Sequence, residues 1–266
     1  MNIAFWSNVR HRSGVTANVA LIGILWVELF VEEIAVTANH VCNFGLAKRL
    51  YGGIEYEERI AQKAYRYVLG EPEYFRMLYG GKMHSSLWLN DNLRFLPMEG
   101  GKSDLFGIEG LRGVEKMISN GGYLLIDTAC GFGLGSQKIM EDAELTVVMF
   151  PPEREYVDAF FQSETGFREN SFFIVGNYRT DSDFKPSYLT KRYHIPKERI
   201  GVIPYNVGFE QAMREGTTIA YVTRNMNCTK RDSAYRFIRY ATETVNKLRN
   251  YAIGRRKLIC GECDEV

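Results

Sequence analysis

Between Ser7 and Val19 the chain reads SNVRHRSGVTANV and runs straight into an apolar segment. A short loop that opens a helix is suited to anions, because its backbone N–H groups and the helix N-terminus point at the ligand. The standard phosphate loop is G-x-x-x-x-G-K-[ST], whose Lys holds the β/γ-phosphates and whose hydroxyl holds Mg²⁺. Gly14 and Thr16 fit the second glycine and the hydroxyl, but Val15 stands at the Lys and the early glycines are missing. A βα turn capped by Ser13 reads equally well from this loop alone. Two more segments put polar groups after apolar runs. YLLIDTACGFG (123–133) brings Asp127 to a strand end before a glycine-rich turn, where a carboxylate can organise Mg²⁺ beside a phosphate. FIVGNYR (173–179) brings Asn177 to another, and its amide offers the donor and acceptor that suit an adenine edge. A helix-capping Asp and a turn Asn are the plainer readings of these two residues.

Other chemistry is thinly supported. The histidines His11, His40, His84 and His194 are scattered, without ligand spacing. Of Cys42, Cys130, Cys228, Cys260 and Cys263, only the last two form a close pair, CGEC. One C-x-x-C near a chain end is weak evidence for zinc, and a frayed tail is expected. No secretion signal opens the sequence, so the thiols are expected reduced, in the cytoplasm. A net charge of +1 gives no global field favouring nucleic acid or an anionic membrane. The apolar stretch 17–31 contains Asn18 and Glu28 and, at about 15 residues, is short of the roughly 20 needed to span a bilayer.

The elements that must position these groups alternate. Apolar runs predict strands over 2–6, 33–37, 93–96, 123–126, 145–150, 172–175 and 200–203. Helical spacing predicts helices over 16–30, 45–50, 57–69, 108–119, 153–162, 188–193, 209–214 and 232–249. Continuous runs such as LLI and LTVVMF belong to strands buried on both faces. The expected fold is one α/β domain over 1–266, a three-layer α/β/α sandwich with a mostly parallel sheet. Residues 232–266 would form its C-terminal helix and tail.

On these residues the chain resembles the ParA/MinD family of P-loop ATPases, including the TadZ/CpaE pilus-localisation branch. The family's deviant loop, K-G-G-x-G-K-[ST], falls on Arg10, His11, Arg12, Ser13, Gly14, Val15 and Thr16. Its I-I-D-T-P-P-G falls on Ile126, Asp127, Thr128, Ala129, Cys130 and Gly131, with two prolines lost. Its strand-end Asn falls on Asn177. Its I-P-x-D…A-x-x-x-G falls on Ile203, Pro204, Tyr205, Asn206, Ala212 and Gly216. The matches run in order from residue 2 to about 220.

The resemblance implies ATP or ADP held by residues 10–17 (through Ala17), Asn177, Pro204 and Tyr205, with Mg²⁺ on Thr16 and Asp127. It implies a homodimer in which Arg10, at the signature Lys, reaches the partner's nucleotide. It also implies a protein partner in a positioned complex. Hydrolysis is expected to be weak or absent, because Val15 replaces the phosphate Lys and Asn39 and His40 stand where the family has an acidic pair. A scaffold that binds no nucleotide is the rival expectation, and a true ATPase with Arg12 replacing the Lys is a third. The related nitrogenase iron protein has a cluster-binding Cys near Cys130; without a second Cys between 90 and 120, a packed thiol is expected instead.

Peripheral contacts are weaker expectations. Phe237, Tyr240, Ala241, Val245 and Leu248 form an apolar stripe that could meet a membrane or the core. Lys191, Arg192, Lys197, Arg199, Lys230 and Arg231 could contribute to a DNA-binding patch, though solvated charges read as well.

Overall fold

The structure, a computed structural model, describes residues 1–10, 12–38, 46, 88–90, 92–95, 122–163 and 170–260. His11, Asn39, His40, Cys42, His84, Cys263 and the helices expected over 45–50, 57–69 and 108–119 lie outside the described residues.

The described strands are β1 (Asn2–Trp6), β2 (Ile34–Ala38), β3 (Trp88–Asn90), β4 (Leu93–Phe95), β5 (Tyr123–Asp127), β6 (Leu145–Phe150), β7 (Ser171–Tyr178) and β8 (Ile200–Pro204). The helices are α1 (Val15–Phe30), α2 (Leu134–Asp142), α3 (Arg154–Gln162), α4 (Ser187–Tyr193), α5 (Val207–Glu215), α6 (Thr218–Asn225) and α7 (Tyr235–Cys260). The strands lie in the order β3-β4-β2-β5-β1-β6-β7-β8. Every pairing is parallel except the edge pair β3–β4.

Helices cover both faces because successive strand side chains point opposite ways. Ile3 and Phe5 pack with α1, α5, α6 and α7 residues in one apolar cluster. Ala4 and Trp6 pack with α2, α3 and α4 residues in the other. The fold class is therefore the expected one, an α/β/α sandwich on a mostly parallel sheet. Trp6, Trp26, Tyr123, Phe150 and Phe173 are fully buried or nearly so. A buried apolar side chain of the Leu or Phe kind stabilises by about 1.5–3 kcal/mol.

Several element bounds differ from the sequence reading. Strand β7 runs to Tyr178, so Asn177 lies inside its end rather than after it. Helices α2 and α6 escaped notice, since short amphipathic turns among polar residues give little periodicity. Helix α7 begins at Tyr235 and runs on to Cys260, beyond the expected end at 249. Phe237, Ala241, Val245 and Leu248 are buried in the core, so its apolar stripe faces the sheet, while Tyr240 is exposed. Among the described residues no helix is long and apolar enough to cross a membrane.

Candidate functional site

Strand β1 sits between β5 and β6, and the chain passes to opposite sides of it. Strand order reverses there, and ligands of open parallel sheets bind at the carboxyl ends beside such a point. The loop after β1, Asp127 ending β5, Asn177 near the end of β7 and Pro204–Asn206 at the end of β8 all lie along that edge.

The loop ends on Gly14, the residue before α1, with φ +69°. Glycine takes this left-handed backbone without steric cost. Ser13 does not cap the helix as the simpler reading had it: it is buried, and no side chain caps α1. The first turn of α1 also contains no acidic residue. Its free N–H groups are thus left to an outside acceptor, as an anion site requires. Val15 opens the helix, followed by Thr16 and Ala17 in the first turn, all half-buried.

Asn177 stitches this loop to the sheet. Its Nδ2 donates to the Arg12 carbonyl at 2.8 Å, and its backbone is itself left-handed at φ 51°. Asn18, the buried polar residue inside apolar α1, donates from Nδ2 to the Ser13 carbonyl at 3.2 Å. A Cβ on the neighbouring Gly176 would lie 2.2 Å from the Ser13 carbonyl oxygen. Backbone cannot swing aside as a side-chain tip can. Gly176→Ala is therefore expected to push the loop off the strand and destabilise the fold by about 1–3 kcal/mol. A lowered urea midpoint with unchanged slope is the readout; an unchanged midpoint would show that the contact yields cheaply.

The turn after β5 is tied to the same loop. Trp6 Nε1 donates to the Gly131 carbonyl at 2.8 Å, the Gly131 N–H donates to the Ser7 carbonyl at 3.1 Å, and the Phe132 ring packs 4.8 Å from Trp6. Asp127 is 1% exposed at the head of this turn. The glycine-rich turn is short, because α2 already begins at Leu134. Cys130 and Cys228 are free thiols. Among the described residues no group of three or more His, Cys, Asp or Glu side chains could hold a metal by itself. Magnesium typically takes one or two carboxylates plus substrate phosphates, so Asp127 and Thr16 fit it only alongside a phosphate.

A cavity of about 730 Å³ opens beside Gly14 and Ala17. Asn177, Arg179, Pro204 and Tyr205 form one side, and the apolar Phe209, Met213 and Phe237 form its back. Its size falls in the range of small-molecule sites. Tyr205 donates to the Glu210 carboxylate at 2.5 Å and lies under the Arg179 guanidinium at 5.3 Å. The bond to Glu210, with burial behind it, pushes the Tyr205 hydroxyl above its ordinary range, so it stays a neutral donor. Asn206 caps α5, accepting from the Phe209 N–H at 2.8 Å and the Tyr221 hydroxyl at 2.8 Å. Sequence reasoning missed Arg179, Phe209, Met213 and Phe237 as lining residues. Only Asn18, polar in an apolar helix, left a sign. Arg10 is exposed. Arg199, expected in a basic patch, instead donates from Nε to the Ser171 carbonyl at 2.9 Å and lies over Phe173 and Tyr251.

A mostly parallel sheet with this strand order, a loop-to-helix turn after its first strand and a strand-end carboxylate make a fold similar to that of solved MinD and ParA ATPases. Solved structures share it over nearly their whole length. The cell division ATPase MinD of Pyrococcus furiosus is 13% identical with TM-score 0.62, over 94% of this chain and 98% of that one. The septum site-determining protein MinD of Pyrococcus horikoshii, complexed with Mg-ADP, is 14% identical with TM-score 0.59, over 96% and 99%. A putative plasmid partition protein from Borrelia burgdorferi, bound to AMPPNP, is 12% identical with TM-score 0.57, over 94% and 98%. No family model matches the chain, and no curated protein matches it in sequence. At these identities the likeness is one of fold.

Proposed function

We propose that the chain, acting as one domain, binds ATP or ADP with Mg²⁺ along this edge and uses the bound state as a dimer switch. The switch positions a cellular machine, foremost a pilus or secretion system, with a plasmid as the alternative cargo. The observation that carries the reading is the cavity beside the uncapped start of α1, bordered by Asn177, Pro204 and Tyr205. The base would lie against Pro204 and Tyr205, and the phosphates at residues 10–17. Asn177 spends its Nδ2 on Arg12 and keeps Oδ1 for a base amino group. Thr16 and Asp127 would hold Mg²⁺, which supplies charge neutralisation at the phosphates. Arg10, exposed on the loop, would meet the nucleotide of a second copy. Phosphoryl transfer rests on positioning and charge, and Val15 supplies no charge. Turnover is therefore slow or absent.

One observation favours the rival scaffold reading: Arg12 is already bonded through both its carbonyl and its side chain. Thermal unfolding with and without millimolar Mg-ATP decides. A ligand at a hundred times its Kd stabilises by about 2.7 kcal/mol, which should raise the midpoint by roughly 5–10 °C in a chain of this size. No rise would leave the scaffold reading standing and sink the switch.

A further inference from the structure

We propose that Glu153 sets the phosphate affinity of the loop by holding Arg12, and that an incoming nucleotide phosphate takes Arg12 from it. The inference rests on the nucleotide reading above and names a positioning residue for that site. Arg12 has two separate attachments. Its carbonyl is fixed by Asn177 at 2.8 Å, so its place in the loop does not depend on where its side chain goes. Its Nη1 donates to Glu153 at 3.2 and 3.4 Å, and its guanidinium lies 5.5 Å over the Tyr156 ring. Both contacts come from the start of α3, on the β6 side of the loop. Asn8 ties that helix to the loop as well, donating from Nδ2 to the Tyr156 carbonyl at 3.0 Å.

Magnitudes decide which partner wins. The Arg12 and Glu153 side chains are 55% and 46% exposed, and such surface pairs contribute about 0–1 kcal/mol. Only Nη1 is used; among the described residues Nε and Nη2 make no bond. A phosphate can take those donors in the two-pronged arrangement that guanidinium favours, in roughly twice the strength of a neutral hydrogen bond. The side chain can therefore exchange partners while the main chain stays put, and the lost Glu153 pair lowers the apparent affinity. In a loop whose Lys position holds Val15, Arg12 is the cation this exchange releases.

The test is equilibrium binding of Mg-ATP to the wild type, Glu153→Gln, Arg12→Ala and the double variant. Glu153 precedes α3 without bonding its N–H groups through the side chain, so glutamine leaves that helix start unchanged; circular dichroism checks folding. Glu153→Gln should bind about two- to fivefold tighter, the span a surface ion pair allows. Arg12→Ala should bind more weakly than wild type. Adding Glu153→Gln to Arg12→Ala should then change nothing. If the tightening persists without Arg12, Glu153 acts by repelling the phosphate directly and the exchange is overturned. It is also overturned if the wild type binds and Glu153→Gln binds no better. Binding by none of the four overturns the nucleotide reading itself. Binding by Glu153→Gln alone supports both.

Discussion

Val15→Lys is expected to tighten Mg-ATP binding by about tenfold or more. Hydrogen bonds from a charged donor are worth about 1.5–3 kcal/mol, and 1.4 kcal/mol is a tenfold change. Val15 opens α1 immediately after the left-handed Gly14, where helical side chains lean back toward the N-terminus. The same substitution should weaken the nucleotide-free protein. A cation at a helix N-terminus opposes the dipole by about 0.3–1 kcal/mol, and Val15 packs against the core. The melting midpoint should thus fall without ligand and rise with it, a reversal that a gain in packing does not produce. Val15→Met, uncharged and flexible, is the control and should show no tightening. Calorimetric titration returning wild-type affinity for the lysine variant would mean that phosphates do not reach this turn.

Arg249→Met should cost the fold about 2 kcal/mol or more at neutral pH, a cost that shrinks as the pH falls. Arg249 donates from Nη2 and Nε to the two carboxylate oxygens of Glu32 at 2.6 and 3.1 Å, and its guanidinium lies 4.3 Å from the Phe30 ring. Trp26 Nε1 donates to the same carboxylate at 2.7 Å. These bonds fasten α7 to the end of α1 with side chains only about a quarter exposed. Burial alone pushes the Glu32 carboxyl up, but the bonds from Arg249 and Trp26 outweigh it and hold it below its ordinary 4.5. A carboxyl lowered on folding stabilises above that ordinary value and loses its effect as pH falls through the folded one. Without Arg249, its hydrogen bonds and charge no longer oppose desolvation, and the carboxyl rises from that lowered position. Protonation then relieves the unpaired charge, so the gap in urea midpoint between wild type and variant should narrow as the pH falls from 7 to 3. Glu32→Gln added to Arg249→Met should recover part of the loss, since it removes the unpaired buried charge. A double variant no more stable than Arg249→Met would show that the ring contact with Phe30, rather than the ion pair, matters.

Much of the fold was legible because each central strand is buried on both faces. LTVVMF and YLLID have no polar alternative to a two-sided core, and β6 fell on 145–150 as expected. Helix α1 was equally legible, its apolar run broken only by Asn18 and Glu28. The polar residues at strand ends were visible for the same reason, since an Asp or Asn directly after such a run has to emerge at the sheet's edge. Helices α2 and α6 were not legible. Each is short, and its stability comes from the face it lays on neighbours far along the chain.

By itself the sequence determined the alternation of strands and helices, the mostly parallel sheet and the ordered placement of Gly14 at the start of α1 and of Asp127, Asn177 and Pro204 at strand ends. Tertiary structure decided what those residues do to one another. It gave Asn177's donor to the Arg12 carbonyl, left the start of α1 uncapped, set Glu153 against Arg12 and turned the α7 stripe into the core. The physical reason is range. Periodicity reports burial within one element, whereas the partners of Arg12 stand 141 and 165 positions away, and only the packed sheet brings them together.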